Sequence, residues 1–293
     1  MDRVRIHAHA KANLVLRILD REPSGYHNIE TLFALLDLHD ILTVQRRDSG
    51  ISVDVVGADT GPEHQNLAYR AAQKILDASD RQFGVYIHIE KAIPVQAGLG
   101  GGSSDGAAAL HAVNMLLGNF FAHAQVLTFA AELGSDVPFL ASRTAFAFGR
   151  GRGERLTTVS GPDRAPALVV KPPFGVSTRE AYELLAQSRR GSDATHTSML
   201  PDAGIADWPG IANLSANDFE DVLFVREPEL YNHYTKLQQT GPMITRLCGS
   251  GSAMIAIYAS DSDRDDALKD FSDSDCVIPT AVRAMPPPKP EID

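Results

Sequence analysis

The stretch Pro94-Val-Gln-Ala-Gly-Leu-Gly-Gly-Gly-Ser-Ser-Asp-Gly-Ala-Ala-Ala-Leu110 is a glycine-rich loop that runs into a helix whose start carries two hydroxyl residues. The apolar segment Val85-Tyr-Ile-His-Ile-Glu90 ahead of it reads as a strand, so the fold must contain a strand, a tight loop and a helix in succession. Gly98, Gly100, Gly101 and Gly102 permit positive φ and let amide N–H groups approach an anion with no Cβ in the way. The free N–H groups and the positive dipole end of the helix complete a phosphate site. A turn that only stops a strand and starts a helix would use the same residue types. Two common nucleotide loops are excluded. A Walker A loop needs Lys-Ser/Thr after its last glycine, and here Ser103 and Ser104 follow Gly102. The dinucleotide fingerprint counted from Gly98 puts Ser103 where its third glycine belongs.

A site for phosphate on this chain must work against its own field, because the formal net charge is −10. The same charge argues against nonspecific nucleic-acid binding, which depends on clustered Lys and Arg. Lys11, Arg21, Lys91, Arg150 and Arg152, all in the first half, are the cations available to offset it. No apolar run approaches the roughly 18 residues that span a bilayer, and Met1-Asp2-Arg3-Val4 opens no signal peptide, so a cytoplasmic protein with no membrane partner is expected. Cys248 and Cys276 are too few for a disulfide framework or a cysteine zinc site. Both lie in apolar, strand-like segments where a buried thiol is expected.

A chain of 293 residues can hold one large core or two compact domains, and the pattern favours two. Residues 3–9 and 13–19 read as strands with a break at Lys11, and Arg21-Glu-Pro-Ser-Gly25 as a turn. Further strands are expected at 29–36, 41–46 and 51–56. A helix over 66–76 has Leu67, Ala71, Lys74 and Ile75 at helical spacing and Asn66 as its N-cap. The helix after the glycine loop sets Ala107, Leu110, Asn114 and Leu117 on one face, and a second helix covers 124–133. Gly134-Ser-Asp-Val-Pro-Phe-Leu140 breaks the pattern and leaves Asp136 on a loop before a strand at 144–148. Beyond Ser160-Gly-Pro-Asp163 the order is a strand at 167–171, a helix at 178–187, helices near 217–225 and 227–238, strands at 243–247 and 252–259, a helix at 262–271 and a strand at 276–283. Without the two extra helices this is the split βαβ order of ferredoxin-like domains. The expected division is therefore 1–160 and 161–293, in an α+β fold. Residues 189–210 are polar with little periodicity, and Pro286-Pro-Pro-Lys-Pro-Glu-Ile-Asp293 reads as an unpacked tail.

Phosphoryl transfer needs an acid–base group and a cation beside the phosphate loop. Asp136 is the acidic candidate, on a turn locked by Pro138, although an aspartate there can equally be a turn cap. Lys11 stands among alanines and leucines, where a lysine needs a reason; a strand-edge lysine that blocks sheet pairing is the alternative. Cys248-Gly-Ser-Gly-Ser-Ala253 joins two apolar strands with more small residues than a turn requires. That suggests close backbone approach, or else a tight hairpin.

Taken in order, Ala10-Lys-Ala-Asn-Leu14, Pro94 to Ala107, Gly134 to Pro138 and Gly249-Ser-Gly-Ser-Ala253 resemble the motifs of the GHMP small-molecule kinases. Ser24-Gly-Tyr-His27, Thr31-Leu-Phe33 and Asn217-Asp-Phe-Glu220 resemble the branch whose alcohol substrate carries a cytidine diphosphate, in the non-mevalonate route to isopentenyl diphosphate. The resemblance implies a ribosomal-protein-like N-terminal domain, a ferredoxin-like C-terminal domain and a site between them. It implies Lys11 and Asp136 as the catalytic pair. For ATP it implies the loop Pro94, Val95, Gln96, Ala97, Gly98, Leu99, Gly100, Gly101, Gly102, Ser103 and Ser104. Tyr26 and His27 correspond to the cytidine-recognising pair, with Asn13 adding polar contacts and Tyr182, in preference to Phe174, as the second aromatic. Mg²⁺ is expected with ATP, with Ser104 as its protein contact, in a monomer or weak homodimer. One departure stands out: Ala8-His-Ala-Lys-Ala-Asn13 replaces the Pro-Ala-Lys-Ile-Asn common in relatives. Kinases of the same group acting on homoserine, mevalonate or a sugar, and a nonenzymatic nucleotide-binding protein, are the competing readings.

Overall fold

Two long antiparallel strands, β1 (Arg3–Arg21) and β2 (His27–Arg47), organise the first half of the chain. The computed structural model describes residues 2–21, 27–80, 83–189, 200, 205, 207–271 and 276–293. The turn expected at 21–25 lies largely outside them. The break expected at Lys11 is a bulge within one continuous strand, since the β1–β2 register shifts between His9 and Lys11 and again between Asn13 and Val15. A bulge adds a residue on one strand and re-aims the side chains that follow without ending the pairing. β1 buries alternate residues at Val4, Ile6 and Ala8, as a one-sided strand should, and then every residue from Ala8 to Leu16. Lys11 and Asn13 therefore lie where both faces of the sheet are covered.

The next elements are β3 (Ile51–Val56), α1 (Leu67–Asp77), β4 (Gly84–Glu90), α2 (Gly101–Leu116), α3 (His123–Leu133) and α4 (Val137–Ser142). They extend this sheet by two strands, β4 beside β2 and β3 beside β4, and lay four helices over it. Asn66 caps α1 by accepting from the Ala68 N–H at 2.8 Å, and Ala68, Ala71, Ala72 and Ile75 form its buried face. Lys74 turns outward to Glu132. α2 is buried nearly all round from Ser104 to Leu110, which only small residues permit between a sheet and neighbouring helices. The loop expected at 134–140 is shorter than its sequence suggests. Pro138 sits in the first turn of α4, where its missing N–H costs nothing, and Asp136 stands at the helix start. β5 (Phe146–Arg150) pairs with β2 and forms a hairpin with β6 (Arg155–Thr158). The short, mostly exposed β6 carries no apolar signal and was not expected.

The second half comprises β7 (Ala165–Val170), α5 (Thr178–Ser188), α6 (Trp208–Leu214), β8 (Ala216–Asn217), α7 (Glu220–Arg226), α8 (Pro228–Gln239), β9 (Ile244–Leu247), β10 (Met254–Ile257), α9 (Asp261–Leu268), β11 (Val277–Val282) and β12 (Glu291–Ile292). The strand order β11-β7-β10-β9, antiparallel throughout, is the ferredoxin-like arrangement expected. β11 also touches β2 at Val282 and Leu36, so the two sheets are continuous. Two expectations are corrected. The tail is packed: Ile292 and Glu291 pair with Val4 and Arg5 on the open edge of β1, and the Arg143 guanidinium donates to the carbonyls of Pro287 and Pro288. The prolines block helix and let an extended segment reach that edge. Cys276 is exposed because it precedes β11, whereas Cys248 is fully buried and its thiol is pushed up to about 12 by desolvation.

Candidate active site

The bulged stretch of β1 delivers Lys11 to a junction of three segments. Its ammonium donates to Asn13 Oδ1 at 2.7 Å and lies 3.3 Å from Asp136 Oδ2. Asn13 is itself oriented, since its amide donates to Thr31 Oγ1 at 2.9 Å and that hydroxyl donates to the Val15 carbonyl at 2.7 Å. Lys11 is 3 % exposed, whereas the Asp136 side chain keeps 34 % of its surface open. A buried cation thus faces a carboxylate that solvent or a small molecule can reach. Asp136 makes no side-chain hydrogen bond capping α4, so its carboxylate serves the junction and not the turn.

The glycine loop closes the junction from the other side. The Lys11 N–H donates to the Leu99 carbonyl at 2.9 Å, and a Cβ on Gly100 would stand 3.0 Å from Lys11 Cγ. The second small-residue loop, 248–253, lies directly against the first. Ala253 N–H donates to the Ala97 carbonyl, and a Cβ on Gly98 would fall 1.9 Å from the Cys248 carbonyl oxygen. Gly98 (φ +79°) and Gly249 (φ +57°) hold left-handed backbone there. Close backbone approach is therefore why both loops need small residues.

The loop is anchored from below by a buried cluster that sequence reading did not single out. Lys91, at the end of β4, lies 2.5 Å from Asp40 Oδ2 and 2.7 Å from Asp105 Oδ2, and Asp40 Oδ1 accepts from the Ala92 and Ile93 N–H groups. These bonds tie both the entry of the loop and the first turns of α2 to β2. One ammonium cannot neutralise two buried carboxylates. Asp40 receives two N–H bonds and Asp105 Oδ1 has no partner, so Asp105 is the group that desolvation pushes up to about 7. Lys91, expected as a cation available to phosphate, is spent on this cluster. Asp40, an acid within the apolar run Leu35-Leu-Asp-Leu-His-Asp-Ile-Leu42, was the available signal.

Two cavities meet at the junction. One of about 610 Å³ is lined by residues 94–103 together with Asn66 and Asp105. The other, about 790 Å³, is lined by Lys11, Asn13, Asp136, His27, Tyr182 and Phe219, among others. Gly98, Gly100 and Ser103 line both. Ser104 is placed elsewhere: it is buried, and its hydroxyl donates to the His9 carbonyl at 2.7 Å. Of the other cations, Arg152 lines the larger cavity and Arg150 lies 3.7 Å from Glu30. Tyr182 stacks on His27 with ring centres 5.0 Å apart, and Phe219 meets it edge-on at 4.9 Å. Burial, with the Asp136 charge, pushes the Tyr182 phenol up to about 12, so the ring is neutral. Phe174 does not line this cavity, and Tyr26 lies outside the described residues.

Asn217-Asp-Phe-Glu220 acts as a clamp beside these rings. The Asn217 amide donates to the Leu247 and Gly249 carbonyls, Asp218 accepts from Ile18 N–H and Arg189, and Glu220 accepts from Leu247 N–H. The motif thus holds the 248–253 loop, β1 and α5 in one register. It also sets Phe219 in the cavity wall, a position that sequence reading quoted without a role.

This geometry matches known proteins. The GHMP kinases N terminal domain matches residues 66–149. The 4-diphosphocytidyl-2-C-methyl-D-erythritol kinase of Pelotomaculum thermopropionicum is 40 % identical over 86 % of this chain and 88 % of its own length. Its counterpart from Moorella thermoacetica is 38 % identical over 88 % and 91 %. A crystal structure of 4-(cytidine 5'-diphospho)-2C-methyl-D-erythritol kinase superposes with a TM-score of 0.78 at 31 % identity, covering 95 % of this chain and 99 % of that one. The L. major mevalonate kinase, at 15 % identity, covers 95 % of each chain with a TM-score of 0.70 and so shares the fold.

Proposed function

Because the chain belongs to the 4-diphosphocytidyl-2-C-methyl-D-erythritol kinases, a branch of the GHMP kinases, we propose that its two-lobed cleft brings ATP to one alcohol of that substrate. The chain is a small-molecule kinase with ATP as co-substrate, acting in the non-mevalonate route to isopentenyl diphosphate. The γ-phosphoryl group passes to the tertiary 2-hydroxyl of 4-diphosphocytidyl-2-C-methyl-D-erythritol. The observation that carries this reading is the pairing of Lys11 with Asp136, 3.3 Å apart beside the loop residues that line both cavities.

In this reading the smaller cavity takes the nucleotide, with the loop amides and the N-terminus of α2 on its phosphates. The larger cavity takes the alcohol. The Asp136 carboxylate, held 3.3 Å from the Lys11 ammonium, accepts the hydroxyl proton as the alcohol oxygen bonds to the γ-phosphorus. The bond from that phosphorus to the β,γ-bridging oxygen breaks and ADP leaves. Lys11 and the loop amides stabilise charge on the transferring group. Mg²⁺ fits this donor set, a part-exposed carboxylate and the Ser103 hydroxyl beside phosphates, all hard oxygens. When bound, it neutralises phosphate charge. Tyr26, His27 and Tyr182 are assigned to the cytosine, by stacking and by hydrogen bonds to its edge. Asn13 fixes Lys11 and adds a polar wall. The two domains are taken as 1–160 and 161–293, working in the cytoplasm as a monomer or weak homodimer. Among the described residues no helix is long and apolar enough to cross a membrane.

The test is ADP release by the purified protein with Mg-ATP and, in parallel, 4-diphosphocytidyl-2-C-methyl-D-erythritol, homoserine and mevalonate. Turnover with the cytidine compound alone is expected. Turnover with another alcohol alone would keep the phosphoryl chemistry and overturn the assignment of His27 and Tyr182.

A further inference from the structure

The departure ahead of Lys11 places a histidine at 9, and with His7 it stands two residues apart on β1 and so on one face of the strand. β2 answers with His39, which pairs directly with His9 across the ladder. The ring centres of His7 and His39 lie 4.2 Å apart and those of His9 and His39 4.9 Å, and one ligand nitrogen from each of the three falls within 4.8 Å of the others.

Two of the rings have their tautomer set by the backbone. His9 Nδ1 lies 2.7 Å from the Leu36 carbonyl and His39 Nδ1 2.6 Å from the Asp37 carbonyl, so both Nδ1 atoms carry the proton and donate it. Each Nε2 is then a bare lone pair. His9 is only 4 % exposed, and its Nε2 has no hydrogen-bond partner, a costly state for a buried acceptor without a further role. An imidazole whose Nδ1–H is held by a carbonyl while its Nε2 lone pair is open is the usual form of a metal-ligating histidine.

We propose that His7, His9 and His39 form a binding site for a divalent transition-metal ion, with Zn²⁺ as the best fit. Three imidazoles in a cluster suit a borderline cation and not Mg²⁺, which prefers oxygen. Tetrahedral coordination by three histidines leaves one position for water. The nearby Arg283 guanidinium would oppose a cation, but it is paired with Asp37 at 2.6 Å. The His7 and His39 rings stack nearly parallel, at 14°, so closing the ligand set needs the half-buried His7 ring to turn out of that stack until its lone pair converges with the other two, at Zn–N bonds of about 2.0–2.1 Å.

The ion would act on the reaction through position. It ties β1 to β2 just ahead of the bulge that aims Lys11, and the His9 carbonyl already holds the Ser104 hydroxyl in the first turn of α2. Strand, lysine and phosphate helix are thereby fixed from one point.

The test uses the full chain, stripped with chelator and free of nucleotide, titrated with Zn²⁺ by calorimetry and with Co²⁺ by visible absorption. One ion per chain is expected, with a tetrahedral Co²⁺ spectrum and a melting temperature that rises with Zn²⁺. His39→Ala and His7→Ala, at part-exposed positions, should each weaken binding by about 100-fold, and His9→Ala should abolish it. His64→Ala, at an exposed histidine, should change nothing. Absence of saturable binding by the wild-type chain, or binding unchanged in His39→Ala and His7→Ala, would overturn the site.

Discussion

The two lobes of the cleft are built by opposite means. The phosphate lobe is lined chiefly by one run of chain, residues 94–103, with parts of 59–67, Lys91 and Asp105 beside it, and the glycines of that run exist to let other backbone in. The acceptor lobe is a set of side chains drawn from distant segments: Lys11 and Asn13 from β1, His27 from β2, Asp136 from the start of α4, Tyr182 from α5 and Phe219 from the start of α7. Backbone amides offer the same donors to any triphosphate, so the first lobe supports binding and electrostatics. Side chains offer a proton acceptor, a cation and ring faces, so the second carries chemistry and choice of substrate. Substitutions in the two lobes should therefore separate in kinetics.

The sharpest separation is expected at Asp136. Asp136→Asn removes the proton acceptor while keeping shape and leaves Lys11 hydrogen-bonded to Asn13, so turnover should fall by about 10²–10⁴ with KM for ATP little changed. Near-wild-type turnover would show that the acceptor lobe does not carry the chemistry. Lys11→Ala should cost roughly 10²–10³ in turnover. It also empties a buried position and frees Asn13, so circular dichroism and melting must first show that the fold persists.

Tyr182→Ala comes next, since loss of one stacking face costs about 1–3 kcal/mol. KM for the cytidine substrate should rise by roughly 5- to 150-fold, with KM for ATP unmoved; an equal rise in both would erase the division between lobes. Gly98→Ala attacks that division from the other side. The added methyl meets the Cys248 carbonyl at a φ of +79°, so the two loops must part. Stability should drop by roughly 1–3 kcal/mol, and KM for ATP should rise while discrimination between alcohols survives.

The same contrast explains what the sequence revealed. The phosphate lobe was legible because its signal is contiguous: a strand, clustered glycines and a helix start within one short run. The ferredoxin-like order of strands and helices after residue 160 was legible for the same reason, each being a local periodic segment, whereas α6 and β8, at and just past the end of the polar stretch 189–210, and β12 in the tail were not. Lys11 and Asp136 stood out one at a time, as a lysine among alanines and an aspartate before a proline, but their 3.3 Å approach depends on the bulge after His9 and on the docking of α4. The β1 bulge read as a break because a local pattern cannot distinguish a shifted register from an end. Ser104 looked like Ser103 in sequence, and only the helical turn decides that one faces the cavities and the other the His9 carbonyl. The tail misled because proline-rich composition argues against helix and says nothing about an open strand edge elsewhere.

The smallest effect expected lies beneath the phosphate lobe, where side chains do enter its construction. Asp105 has one oxygen on Lys91 and the other unpartnered, and desolvation raises its pKa from 3.8 to about 7. A folded-state pKa above the unfolded value means that the folded protein binds this proton more tightly. The stabilisation from that proton is complete below about pH 4 and is lost as pH rises through about 7. Asp105→Asn keeps an acceptor for Lys91 and places an amide where the unpartnered oxygen stood, with nothing left to titrate. Melting temperature measured from pH 5 to pH 8 should therefore decline less steeply in the variant than in the wild type, and the gap should widen toward pH 8. Parallel curves would mean that Asp105 is ionised throughout and that the lone Lys91 ammonium sustains two buried carboxylates. In that case the loop would rest on a net negative charge directly beneath its phosphates, and the amides and Lys11 would have to overcome it.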